Sequence, residues 1–265
     1  MAKYRPDIKP PMWGPPEAVQ YAVRANAERM GLPVPTMLLP HFEGGGATLD
    51  LMSSDFGTDS GAPVWKHNRS IGVGKAYLNS ADLTAFTRTP FSQTSGFTVL
   101  LIADVNDAIA TNRKRAFRAI GSGGGTVAAI EFSDGAPSGN VITPALVKTD
   151  GSFDQYLGGP AYSADKQYCI IQSWSAGTAQ KLFVNGAIYR SSVTIASLRD
   201  SVSVVNIGNN TAGATFPLRG AVGHIIVFDR QINDTISAEL TAYTPYALLM
   251  PVSRPVYFDL GATSG

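Results

Sequence analysis

Apolar residues along this chain recur with two different periods. From about residue 41 to residue 230 they fall in short runs bounded by glycine, serine, asparagine and aspartate, the pattern of β-strands joined by tight turns. Residues 97–103 (FTVLLIA) are apolar on both faces, as a strand buried inside a sandwich is. Residues 126–132 (TVAAIEF) run into the turn signal Ser133-Asp134-Gly135, and residues 168–174, 202–207 and 222–228 add three more strands. Residues 181–184 and 187–190 flank Asn185-Gly186, a pair suited to the two positive-φ positions of a type I′ hairpin. Helical spacing occurs in two places. Pro15-Pro16-Glu17 opens a helix that Gly31 and Pro33 close, with Val19, Ala22, Val23 and Met30 near one face. Asn233-Asp234 caps a second short helix that ends before Pro245. This succession predicts an all-β, antiparallel two-sheet jelly-roll sandwich with one or two short helices, not an alternation of β and α.

The two ends differ from the middle. Eight of the 17 prolines fall in residues 1–40, which read as an extended, partly polyproline-like arm carrying the first helix. That helix packs either on its own domain or on a neighbouring subunit, which makes Val19, Val23 and Met30 candidate assembly contacts. Residues 245–265 read as an extended tail with Tyr257 and Phe258 as aromatic anchors. The expected organisation is therefore an N-terminal arm (1–40), a sandwich domain (41–244) and a C-terminal tail (245–265).

Composition narrows the function classes. Charged residues are only 15% of 265, and the formal net charge is +1, which argues against a nucleic-acid binder working through a basic field. No apolar run reaches the ~18 residues of a membrane helix. No signal-peptide pattern follows Met1. The single Cys169 excludes an internal disulfide framework and fits folding in a reducing cytoplasm.

The chemistry-bearing residues are sparse. A glycosidase needs two carboxyl groups flanking the scissile bond. The five glutamates are Glu17, Glu28, Glu43, Glu131 and Glu239, and Glu131 has no second glutamate on its strand. Asp104 and Asp107 sit at a strand end, where carboxylates are commonly solvated. His41, His67 and His224 are far apart and lack ligand spacing for zinc. Residues 121–125 (GSGGG) lack the Gly-Lys-Ser/Thr of a phosphate loop and instead join two strands. Asn112-Arg113-Lys114-Arg115 with Arg118 is the one dense basic cluster, expected in the loop after the 97–103 strand, either solvated or in contact with an acidic neighbour or phosphate. No catalytic residue and no cofactor emerges, and the chain reads as a non-enzyme.

Several elements in order resemble the concanavalin A-like lectin/glucanase domains of the LamG type. They are Phe42-Glu43-Gly44-Gly45-Gly46 with Leu49-Asp50-Leu51, the glycine-bounded run 71–78, Phe97-Thr98-Val99, the Leu-x-Val-Asn-Gly hairpin at 182–186, and the closing 218–223 and 227–230 segments. The resemblance spans residues 41–244. The tail around Pro245-Tyr246-Ala247-Leu248-Leu249 resembles LamG-type proteins of tailed bacteriophages. The chain departs from the pattern at Ile236, where the family carries an acid. The resemblance implies a virion structural protein for capsid decoration, a head fibre or a tail. Such a protein would be assembled in the host cytoplasm, would be homo-oligomeric, and would dock on other virion proteins such as the major capsid protein through its arms. It also implies the alternative of a carbohydrate-binding module. For glycan binding the exposed aromatics expected in loop-like sequence are Trp65 and Tyr156, whereas Trp174 alternates with Ile170 and Gln172 and reads as core or interface. Some members hold calcium on rim carboxylates, and Asp50, Asp55 and Asp59 form the matching cluster.

Overall fold

The structure, a computed structural model, describes residues 16–39, 49–53, 55–60, 64–68, 73–78, 83–105, 114–133, 140–164, 166–208, 218, 220–242 and 247–249. Helix α1 spans Pro16–Arg29, and the strands follow as β1 (Met37–Leu39), β2 (Leu49–Asp50), β3 (Asp55–Phe56), β4 (Thr58–Ser60), β5 (Val64–Asn68), β6 (Val73–Leu78) and β7 (Leu83–Phe86). The central strands are β8 (Gly96–Val105), β9 (Lys114–Gly121), β10 (Thr126–Ser133), β11 (Val141–Val147) and β12 (Phe153–Gln155). They are followed by β13 (Tyr168–Ser175), β14 (Thr178–Val184), β15 (Ala187–Ile195), β16 (Val202–Ile207) and β17 (Gly220–Phe228). Helix α2 (Asp234–Ala242) and a 3-10 turn at Ala247–Leu249 close the described chain.

These strands form two antiparallel sheets stacked as a jelly-roll sandwich. One has the order β15-β14-β13-β8-β17-β6-β5, with β1 added on β17. The other has the order β12-β11-β10-β9-β16-β7-β4, and β2 and β3 pair separately. Strand alternation sets the layers. On β8, Phe97, Val99, Leu101 and Ala103 enter the core between the sheets, while Leu100 faces the other way. The core between the sheets takes in Trp174, Phe117, Ile130 and Phe132, with Phe91 stacked on Phe97 at 4.3 Å between ring centroids.

A second core lies outside the eight-stranded sheet. Val19, Val23 and Ala27 of α1 join Leu100, Ile171, Phe183, Ile226 and Phe228 there, with Leu240, Leu248 and Leu249 from the chain's end. Of the two packings open to the first helix, the one on its own domain is found, and residues 37–39 join the sheet as β1. The outer face of this sheet is apolar, and burying it against an amphipathic helix removes that surface from water. Val19 and Val23 are buried in this intramolecular contact, and Met30 packs at its margin. The helix ends as the sequence pattern requires. Gly31 has φ 67°, its N–H donates to Glu28 O at 3.0 Å, and Leu32 N–H donates to Ala27 O at 2.8 Å. Asn26 Nδ2 then donates to Leu248 O at 3.1 Å, clamping α1 to the C-terminal turn. Tyr257 and Phe258 lie outside the described residues.

Two local expectations hold in detail. At the β14–β15 turn, Asn185 has φ 47° and Gly186 has φ 90°, as a type I′ turn demands. A Cβ on Gly186 would sit 2.6 Å from the Ala242 Cβ, so the glycine also lets α2 lie against the hairpin. Asn233 Oδ1 accepts from Thr235 N–H at 2.8 Å and Ile236 N–H at 3.4 Å, capping α2. The glycines at 121–125 join β9 to β10 as expected.

Candidate functional site

The two sheets present unlike outer faces. On the seven-stranded sheet, Arg115, Arg118, Glu131, Thr143 and Gln155 share the side away from the core, because their neighbours Ala116, Phe117, Ile130, Ile142 and Leu146 point inward. The register places Arg115 opposite Glu131 across β9–β10 and Thr143 opposite Glu131 across β10–β11. Arg115 Nε donates to Glu131 Oε1 at 2.6 Å, and Gln155 Nε2 donates to Glu131 Oε2 at 3.0 Å. Arg118 Nε donates to Thr126 Oγ1 at 2.8 Å. Burial, and then the neighbouring Arg115, push the Arg118 pKa down to about 10, partly offset by Glu131. The contact with an acidic neighbour is the reading of the basic cluster that the structure bears out, while the loop placement is corrected. Lys114, Arg115 and Arg118 lie on a strand and are buried, not in a solvated loop, because Glu131 on the adjacent strand supplies the counter-charge. Glu131 is 0% exposed.

The same face opens to solvent at its edge strand, β12. Phe153 is 57% exposed and Leu157 is 36% exposed, while Gln155 and Tyr156 are half-buried. This edge is held from both sides. Outward, Gln155 is tied to Glu131. Inward, the buried Asp154 accepts from Gln180 Nε2 at 2.8 Å and from Ser191 Oγ at 3.1 Å, which ties β12 to β14 and β15 of the other sheet. Gln180 in turn accepts from Gln172 Nε2 at 3.2 Å, whose amide also reaches Ala145 O at 3.2 Å. Tyr156 N–H donates to Pro144 O at 3.2 Å, and the Tyr156 ring folds over Gly158, where an added Cβ would lie 2.6 Å from the hydroxyl. A short strand braced by charge-assisted and buried hydrogen bonds presents its exposed aromatic in a fixed position.

Tyr156 follows this edge strand directly and is half-buried. Trp65 does not lie in a loop: it is on β5, paired with Ala76 across β5–β6, which corrects that expectation for its backbone. Phe153 was missed, because Thr149-Asp150-Gly151-Ser152 reads only as a turn and three residues are too few for a strand pattern. Trp174 is fully buried, as its alternation implied. Asp50 is no rim carboxylate. It is fully buried and accepts from Leu38 N–H and Met52 N–H, both at 2.9 Å, and from Ser53 Oγ at 3.0 Å, with Arg88 Nη2 3.4 Å away. Its carboxylate closes a turn, which is why it sits in the interior. Among the described residues no group of three histidine, cysteine, aspartate or glutamate side chains could hold a metal. His224 is buried on β17, and Cys169 is buried with its thiol pushed up to about 12 by desolvation.

Solved structures share this architecture. The chain is similar to the botulinum neurotoxin serotype G binding domain, with a TM-score of 0.58 and 15% identity, over 78% of this chain and 50% of that one. It is also similar to Trypanosoma rangeli sialidase in complex with the inhibitor DANA, with a TM-score of 0.62 and 14% identity, over 87% of this chain and 38% of that one. The same sialidase in complex with sialic acid gives a TM-score of 0.55 and 14% identity, over 80% of this chain and 33% of that one. The shared fold is the jelly-roll sandwich. The chain spans half or less of the length of these proteins, and at such identities the likeness is one of fold. No protein-family model and no curated protein sequence matches the chain.

Proposed function

We propose that this chain is a non-enzymatic recognition module that binds glycans at the braced β12 edge. The observation that carries the reading is the exposed Phe153 beside Gln155 and Tyr156, on a strand fixed from both faces by Glu131 and Asp154. An aromatic face with adjacent polar groups is the usual device for holding a ring that is apolar on one side and hydroxylated around its rim. The reading is supported by the similar folds of a toxin's receptor-binding domain and of a sialidase seen with sialic acid.

Catalysis is not part of the proposal. Glu131 is the one carboxylate on β9, β10, β11 and β16, and it is buried against Arg115. Asp154 on β12 turns to the opposite face. Most glycoside hydrolases use a pair of carboxyls about 5–10 Å apart that flank the scissile bond. The test is a glycan array probed with the purified chain, together with a reducing-end assay on polysaccharides. Glycan binding without release of reducing ends is expected, and release lost in Glu131→Gln would overturn the non-enzymatic reading.

The setting we propose is a tailed-phage virion, with the chain as a decoration, head-fibre or tail component assembled in the host cytoplasm. It is supported by the LamG-type sequence pattern and by the proline-rich ends. Because Val19 and Val23 are spent inside the fold, docking on the major capsid protein or a second copy falls to the segments beyond residues 16–39 and 247–249. Electron microscopy of particles assembled with and without the chain tests this setting, and particles that never carry it would refute it.

A further inference from the structure

We infer that the Phe153 subsite selects a neutral, hydroxyl-rich sugar ring over an acidic one, an inference that rests on the recognition reading above. The argument turns on hydrogen-bond direction. Gln155 Nε2 donates to Glu131 Oε2 at 3.0 Å, so the NH2 group of the Gln155 side chain points inward. The other end of that amide, Oε1, is then turned away from Glu131, and among the described residues no hydrogen bond engages it. Gln155 is half-buried and lies two residues from Phe153 on the same face of β12, about 6.7 Å along the strand. The atom offered beside the exposed ring is thus an acceptor.

The turn leading into β12 adds a second acceptor. Asp150, exposed three residues before Phe153, accepts from the Ser152 hydroxyl and from Ser152 N–H. Those bonds hold its carboxyl below the usual range, so it stays ionised at neutral pH. Lys148, at the base of the turn, offsets part of that charge. Acceptors receive sugar O–H groups, whereas a sugar carboxylate has no proton to give and is repelled by Asp150. The selection is for hydroxyl donors on a ring whose C–H face can lie on Phe153.

The experiment uses the full chain and two sets of probes: neutral gluco- and galacto-oligosaccharides, and sialyllactose with oligogalacturonate. Dissociation constants are measured for the wild type, Phe153→Ala, Gln155→Leu and, as a control on the far sheet, Ile188→Ala. Circular dichroism confirms that each variant is folded. Binding of a neutral oligosaccharide is expected, weakened about tenfold by Phe153→Ala and unchanged by Ile188→Ala. Neutral-sugar binding that survives both β12 substitutions overturns the assignment of the subsite but leaves the recognition reading standing. Binding confined to the acidic probes and lost in Phe153→Ala keeps the subsite and overturns its selectivity. Failure of the wild type to bind any glycan overturns the recognition reading and this inference with it.

Discussion

The outer faces of the two sheets solve the same burial problem in opposite ways. Outside the eight-stranded sheet, Leu100, Ile171, Phe183, Ile226 and Phe228 form an apolar surface that α1, α2 and the C-terminal turn cover. Outside the seven-stranded sheet the equivalent positions carry Arg115, Arg118, Glu131, Thr143 and Gln155, joined by charge-assisted hydrogen bonds. The first face is closed by non-directional apolar contact, which tolerates imprecise geometry but must be covered completely. The second is closed by directional pairs, which allow its edge to stay open and still rigid. The difference explains why the exposed aromatic of the candidate site stands on the polar side of the sandwich.

The comparison breaks most visibly if the apolar cover is removed. Deleting residues 1–35 strips Val19, Val23 and Leu32 from the outer core, each worth roughly 1.5–3 kcal/mol when buried. We expect a loss of about 5 kcal/mol or more, read as early unfolding or aggregation in thermal scans with size-exclusion chromatography. A truncated chain as stable as the parent would mean that the helix is not needed as a lid. The organisation expected from the sequence places the sandwich at residues 41–244, whereas α1, within residues 1–40, covers part of its outer face.

On the polar face the corresponding substitution is Glu131→Ala. It deprives Arg115 and Gln155 of their shared acceptor, and breaking a buried ion pair costs about 3–5 kcal/mol. Glu131→Gln, which keeps an acceptor oxygen, should cost clearly less in urea denaturation. Equal costs for the two substitutions would show that packing, not the charge pair, closes this face.

Cys169 reports on the covered face without disturbing it at neutral pH. Its thiol lies under α2, with Sγ 3.8 Å from Leu240 O, and desolvation raises its pKa from 9.0 to about 12. A folded-state pKa above the unfolded value gives stability that is complete below pH 9 and lost as pH rises toward 12. Cys169→Ala should flatten that alkaline decline, and a thiol reagent at pH 8 should label the wild type only in denaturant. Ready labelling of the native protein would mean that α2 opens freely. The smallest effect belongs to the open edge: Phe153→Ala should change stability by no more than about 0.5 kcal/mol. A larger loss would show that the ring packs on the fold instead of facing outward.

Much of the β-scaffold was legible from residue order. The strands at 97–103, 126–132, 168–174 and 202–207 lie where their apolar runs place them, and Trp174 is core as its alternation implied. Strand β11 was not legible, because Pro144 reads as a strand breaker. In the fold its carbonyl accepts from Tyr156 N–H just beyond the β11–β12 ladder, so its missing N–H costs no pairing with β10. Tyr156 could be named in advance as an aromatic in loop-like sequence, though not that its ring would be half-buried. Phe153 could not, since a three-residue edge strand has no period of its own.

The sequence by itself determined what depends on neighbours a few residues away. The Asn185-Gly186 hairpin, the Asn233 cap and the Gly31 helix end are cases where one backbone conformation suits those residues far better than others. Tertiary structure decided what depends on partners far along the chain. Alternation shows that β10 has two faces, but only the register of β9, β11 and β12 brings Arg115, Thr143 and Gln155 to Glu131. A helix with an apolar stripe shows that it must be covered, but not by what. That the cover is this chain's own sheet follows from Phe183 and Ile226, more than 150 residues beyond Val23, completing a surface that no local pattern can announce.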